Sequence, residues 1–107
     1  MNIHSNYGKK VNHILRQIKS LFYSCKGECQ RLEESCEVCS FLSKNLSVYI
    51  FSYDNGLYYC QIDAVINGIE EHVFVASMTH EWQLIGYRLR KRRLWLWMKE
   101  LEQLAAP

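Results

Sequence analysis

The sequence predicts an α+β fold, with two N-terminal helices, a three- or four-stranded antiparallel meander and a C-terminal helix. Three observations predict it. Apolar residues recur at helical spacing through the first 44 residues and again near the C-terminus. Aromatic and β-branched runs occupy residues 47–77. Two Asn-Gly dipeptides, Asn55-Gly56 and Asn67-Gly68, separate those runs. At 107 residues, 49% of them hydrophobic, the chain has the size of one domain, residues 1–107, with a small core.

The first element is a helix. Val11, Ile14, Leu15, Ile18, Leu21 and Phe22 form one apolar stripe, and Lys9, His13, Arg16 and Lys19 take the opposite side. Asn6 is a suitable N-cap, and Gly27 a natural stop. Residues 28–44 read as a second helix. Cys29, Leu32, Cys36 and Cys39 stand at i, i+3, i+7 and i+10, with Arg31, Glu33, Glu34 and Glu37 as the polar face.

The period then changes to two. Ser47–Tyr53 and Leu57–Ile66 flank Asp54-Asn55-Gly56, and Asn67-Gly68 precedes Glu71–Ser77. Asn-Gly suits both φ > 0 positions of a tight hairpin turn, so three strands follow in a meander. One face holds Val48, Ile50, Tyr58, Cys60 and Ile62; the other is aromatic too. After Ser77 two readings compete. Thr79 caps a long helix to about Ala105, or Ile85, Tyr87 and Leu89 alternate as a fourth strand before a helix starting near Arg92. Gly86 costs about 1 kcal/mol inside a helix and favours the strand. Leu94–Leu104 is helical on either reading.

The net charge of +2 conceals segregation. Residues 1–24 carry +4, 25–46 carry −1, 47–81 carry −5 and 82–107 carry +4. The first ten residues contain no apolar signal segment, and no apolar run approaches the roughly 18–20 residues that span a bilayer. A soluble, cytoplasmic protein is expected, with no membrane partner.

Cys25, Cys29, Cys36 and Cys39 are spaced C-x3-C-x6-C-x2-C, and Cys60 makes the cysteine count five. Four thiolates bind zinc tetrahedrally, and C-x2-C has ligand spacing. On one helix, however, Cys29 and Cys36 lie roughly 10 Å apart along the axis, too far for one ion. The plainer expectation is therefore no cofactor, with these cysteines as small apolar residues on a buried face, and a disulfide or redox pair as a further alternative.

Arg88, Arg90, Lys91, Arg92 and Arg93, followed by Trp95 and Trp97, form the densest basic run. Such cations neutralise phosphates, and neighbouring aromatics stack on exposed bases. The alternative is a solvated surface with the tryptophans in the core. Lys9, Lys10, Arg16 and Lys19 reinforce the run only if the first helix lies beside the last. Asp54, Asp63, Glu70, Glu71 and Glu81 oppose it only if they share its face. No Walker A loop, GxGxxG, HExxH or GxSxG occurs. The four histidines are dispersed, and neither Cys60 with His72 nor Asp63 with Glu71 makes a convincing catalytic pair.

A rival surface is the sheet face bearing Tyr49, Phe51, Tyr53 and Tyr59, which an uncovered sheet exposes to a protein partner or a second copy. In order of elements, α-β-β-β-α resembles the double-stranded-RNA-binding domains, and the basic residues near the final helix are the chemical echo of that family; its loop and helix motifs are absent. The expectation is a small, non-enzymatic regulatory domain. It contacts nucleic acid through Arg88, Arg90, Lys91, Arg92, Arg93 and Trp95, with a protein-interaction module as the alternative.

Overall fold

The computed structural model describes residues 8–33 and 35–107. Helix α1 spans Gly8–Tyr23. Six strands follow: β1 (Glu28–Leu32), β2 (Cys36–Leu42), β3 (Leu46–Tyr53), β4 (Leu57–Ile66), β5 (Ile69–Thr79) and β6 (Leu84–Leu89). Helix α2, Leu94–Ala105, closes the order. The strands form one antiparallel sheet in sequence order, each paired with the next through a hairpin.

Two expectations are corrected. There is one N-terminal helix, not two, and the meander has six strands rather than three or four. Residues 28–44 form a hairpin. Their cysteine and leucine spacing matches a helix because two strands and a turn happen to place apolar residues three and seven apart. Within β2, though, Cys39 and Phe41 are both buried, and Val38 and Ser40, the two neighbours of Cys39, face the other way. The helix-prone stretch QRLEES contains the turn, where Glu33 adopts φ 54°. Pairing on both sides of β2 outweighs the local helical preference. The double-stranded-RNA-binding order, with three strands, is likewise not this topology.

The Asn-Gly turns form as expected. Asn67 and Gly68 both take positive φ, 54° and 79°, the signature of a two-residue hairpin turn. At the other, Gly56 donates its N–H to the Tyr53 carbonyl and takes φ 89°. Of the two readings after Ser77, the strand is the one formed. Thr79 does cap, but a turn and not a helix: its Oγ1 accepts the N–H groups of Glu81 and Gln83. The proposed N-cap Asn6 lies outside the described residues. Gly27 has a different role from the one expected. The left-handed position after α1 is Cys25, φ 61°, while a Cβ at Gly27 would sit 2.4 Å from the Phe41 ring.

Both helices cover the same face of the sheet and touch each other above β3. Val11, Ile14, Ile18 and Leu21 from α1, with Leu94, Trp97 and Leu101 from α2, meet Phe41, Val48, Ile50, Cys60, Ile62, Phe74 and Met78. Truncating one of these large side chains to Ala costs about 2–5 kcal/mol. Glu100 ties α2 to the β2–β3 turn, accepting from Ser43 Oγ, from the Asn45 N–H at 2.8 Å and from Asn45 Nδ2 at 3.4 Å. The opposite face of the sheet, with Tyr49, Phe51, Tyr53 and Tyr59, has neither helix on it. Phe51 and Tyr59 pack there with ring centroids 5.7 Å apart. Among the described residues no helix is long and apolar enough to cross a membrane.

Candidate nucleic-acid interface

The β6–α2 connection carries the basic run. Arg90 leaves the sheet by donating its N–H to the Val73 carbonyl at 2.9 Å, and a turn follows in which the Leu94 N–H reaches the Lys91 carbonyl. Arg93 stands at the start of α2 with φ 58° and gives it no side-chain cap. This short, tightly turned segment spreads the cations rather than stacking them on one side.

Lys91 and Trp95 turn toward α1. With Lys9, Lys10, His13 and Arg16, and with Leu94 and Met98 as apolar lining, they border a groove of about 500 Å³. The N-terminal turns of both helices contribute to it, through Lys9 and Lys10 and through Leu94 and Trp95. The positive ends of the two helix dipoles favour an anion there. Among the described residues no Asp or Glu lines the groove. Glu102 stands beside it, in contact with the lining residue His13 through Nε2 at 2.7 Å. Trp95 is 75% exposed, whereas Trp97, two residues on, is buried. Arg16 and Lys19 continue the cationic surface along α1 into a neighbouring groove that also includes Lys26. Lys26 Nζ donates to the Ala106 carbonyl at 2.9 Å, which brings the ends of α1 and α2 together.

The other expected residues go elsewhere. Arg90, Arg92 and Arg93 border a smaller cavity of about 200 Å³ over the β4–β5 turn, with Asn67, Ile69 and Glu71. Arg90 donates to Glu71 at 3.3 Å. Arg88 lies on the uncovered sheet face, beside Val75. So the run divides into three: Lys91 and Trp95 join α1, Arg90, Arg92 and Arg93 sit above a hairpin, and Arg88 stands apart. Lys9, Lys10 and Arg16 were visible as charge, but their partnership with Lys91 requires the helix–helix contact.

The acidic middle of the chain does not reach the groove. Asp54 pairs with Arg31 at 2.7 Å, Glu71 with Arg90, and Glu81 lies 3.7 Å from His80. Asp63 is buried on the uncovered face, where it meets His72 Nδ1 and Gln61 Nε2.

The cysteines do not assemble as four ligands. Cys29 and Cys39 face each other across β1 and β2 and form a disulfide, with their Cα atoms 4.0 Å apart. Cys36, three residues before Cys39 on the same strand, lies on the other face of the sheet, and Cys25 is exposed beyond α1. Glu37 places a carboxylate near the Cys29 and Cys39 sulfurs, the three ligand atoms lying within 4.8 Å of one another, but those sulfurs are bonded together. Cys60 and His72 lie apart: Cys60 opposes Ala76 and faces the helices. Burial pushes its thiol up to about 12. His4 lies outside the described residues.

The fold and groove thus define a two-helix, six-stranded α+β protein with a cationic cleft between the helices. In comparisons with protein-family models, curated proteins and solved structures, nothing matches the chain.

Proposed function

We propose that the chain is a non-catalytic nucleic-acid-binding module whose ligand lies in the α1–α2 groove. The observation that carries this reading is the convergence of Lys9, Lys10, Arg16 and Lys91 on one cleft bordered by the exposed Trp95. Four cations with no lining acid among the described residues favour phosphates. An exposed indole beside them offers a stacking surface, which suits a single-stranded or unpaired segment better than a closed duplex. Arg92 and Arg93 continue the positive field on the far side of the connection.

Fluorescence anisotropy with a labelled single-stranded oligonucleotide tests this. Trp95→Ala is expected to weaken binding by about 1–3 kcal/mol, the worth of one base–aromatic stack. Lys91→Ala weakens it for every sequence tested, and the signal weakens further as salt is raised. If both variants bind like the parent, the groove is not the site.

A second reading rests on a separate observation. Tyr49, Phe51, Tyr53 and Tyr59 remain on a sheet face that neither helix covers, and this surface fits a protein partner or a second copy. Sedimentation of Phe51→Glu against the parent separates the two: a change in mass supports the interface, and an unchanged monomer removes self-association.

A further inference from the structure

On the uncovered face, Asp63 is the one charged residue that is fully buried among those described, at 6% exposure. A carboxylate loses hydration there and needs compensating donors. It has two. Gln61 Nε2 donates to both carboxylate oxygens at 3.1 Å, and His72 Nδ1 contacts Oδ1. Counting back from the two-residue Asn67-Gly68 turn, the β4–β5 register sets Asp63 opposite His72, and the β-bulge lies just beyond this pair, before Ile62 meets Phe74. With Nδ1 engaged, the ring's other nitrogen, Nε2, has no partner among the described residues. A carboxylate that fixes an imidazole in this way orients it and favours its cationic form.

His72 is not alone. It borders a cavity of about 490 Å³ with Arg88, Arg90 and the strand between them, on the β5–β6 side of the sheet. Arg90 is engaged by Glu71, but Arg88 has no carboxylate partner among the described residues. The cavity therefore offers one uncommitted guanidinium, a second cation partly neutralised, and an oriented imidazole N–H.

We infer that this cavity binds a tetrahedral oxyanion, such as the phosphate or sulfate group of a larger ligand, with His72 Nε2 and Arg88 as its donors and Asp63 as the residue that positions His72. The site lies on the opposite face of the sheet from the α1–α2 groove and does not depend on it. The groups facing His72 are Asp63 from β4, Glu70 and Glu71 from β5, and Arg88 and Arg90 from β6 and the residue after it. The hydrogen bond to Asp63 first, and its charge second, raise the His72 pKa; Glu70 adds to the rise and Arg90 opposes it. Oxyanion binding accordingly weakens as pH rises and the imidazole loses its charge.

The test is an NMR titration of the His72 ring nitrogens with inorganic sulfate, which keeps its charge throughout, at constant ionic strength in chloride. A saturable His72 shift at pH 6 is expected, weakened about tenfold by Arg88→Gln and by raising the pH to 8.5, and unchanged by Lys91→Ala. Inorganic phosphate at pH 6 gives the same saturable shift if the site takes either group, and sulfate alone shifts the ring if it takes only sulfate. Asp63→Asn lowers the His72 titration midpoint and weakens sulfate binding at pH 7, which a purely structural Asp63 would not do if the fold persists. The Arg88 variant, at an exposed position, tests the site even if Asp63→Asn fails to fold. A His72 response to sulfate no larger than to chloride, or one that survives Arg88→Gln, overturns the inference.

Discussion

The cysteines and Asp63 show how much a single side chain's position decides. Cys60 is enclosed by the helices, and its thiol is pushed up to about 12, so it is inert at neutral pH. Cys36 is also buried, Cys25 is exposed, and Cys29 and Cys39 are bonded. A thiol reagent is therefore expected to label Cys25 alone rapidly in the native protein, with Cys36 and Cys60 following on denaturation and Cys29 and Cys39 only after reduction. Mass spectrometry of the labelled peptides checks the order; rapid native labelling at Cys60 contradicts the packing. For the Asp63–His72 pair the sign of the pH effect is fixed. The folded-state pKa of His72 is raised, so the pair's contribution is fully present below the unfolded value near 6.5 and is lost as pH rises through the folded one. Asp63→Asn should destabilise the protein more at pH 6 than at pH 9 in denaturant titrations. The face of Cys60 was legible from the strand period, and the Asp63–His72 pairing follows from counting back from the Asn67-Gly68 turn; the contact of Gln61 with the same carboxylate leaves no local signature. The sequence reading set Asp63 against Glu71, one position off the hairpin register, in which Glu71 opposes Ala64.

At the scale of elements, local chemistry was legible and mimicry was not. The Asn67-Gly68 and Asp54-Asn55-Gly56 turns were readable because left-handed backbone is a property of the residues themselves. The α1 stripe was readable because its period is unbroken. The β1–β2 hairpin was not, because cysteine and leucine spacing across a turn imitated a helix while the true period of two within β2 spans only seven residues. The polar tie that adds to the apolar packing of Leu94, Trp97 and Leu101 was hidden, since it is a long-range contact of one carboxylate, Glu100. Burial raises the Glu100 pKa, but hydrogen bonds from Ser43 and Asn45 and the charge of Lys44 outweigh it and hold the group below its ordinary range. Glu100→Ala removes the acceptor for all three donors and is expected to cost about 1–3 kcal/mol near neutral pH. Because the folded pKa is lowered, this contribution is present above the ordinary carboxylate range and fades as pH falls through the folded value. Equilibrium unfolding at pH 7 and pH 3 measures the difference, and an equal cost at both would place the stabilisation elsewhere.

At the scale of the whole molecule, the order of elements converts segregated charge into a site. The two basic ends of the chain become adjacent helices, and the six strands between them keep the acidic residues at the hairpins and on the other face. The charge segregation was legible; that Lys91 would join Lys9 and Lys10 while Arg88 would not depends on the fold. The central claim is that this cleft binds phosphates. The most direct measurement is the salt dependence of single-stranded oligonucleotide affinity for the parent and for Lys10→Ala/Lys91→Ala. With four cations engaged, the slope of log K against log salt should be about −3, at roughly −0.7 per phosphate contact, and the double variant should lower its magnitude by about 1.4. A parent that binds no oligonucleotide at low salt, or a slope the double variant leaves unchanged, would contradict the account.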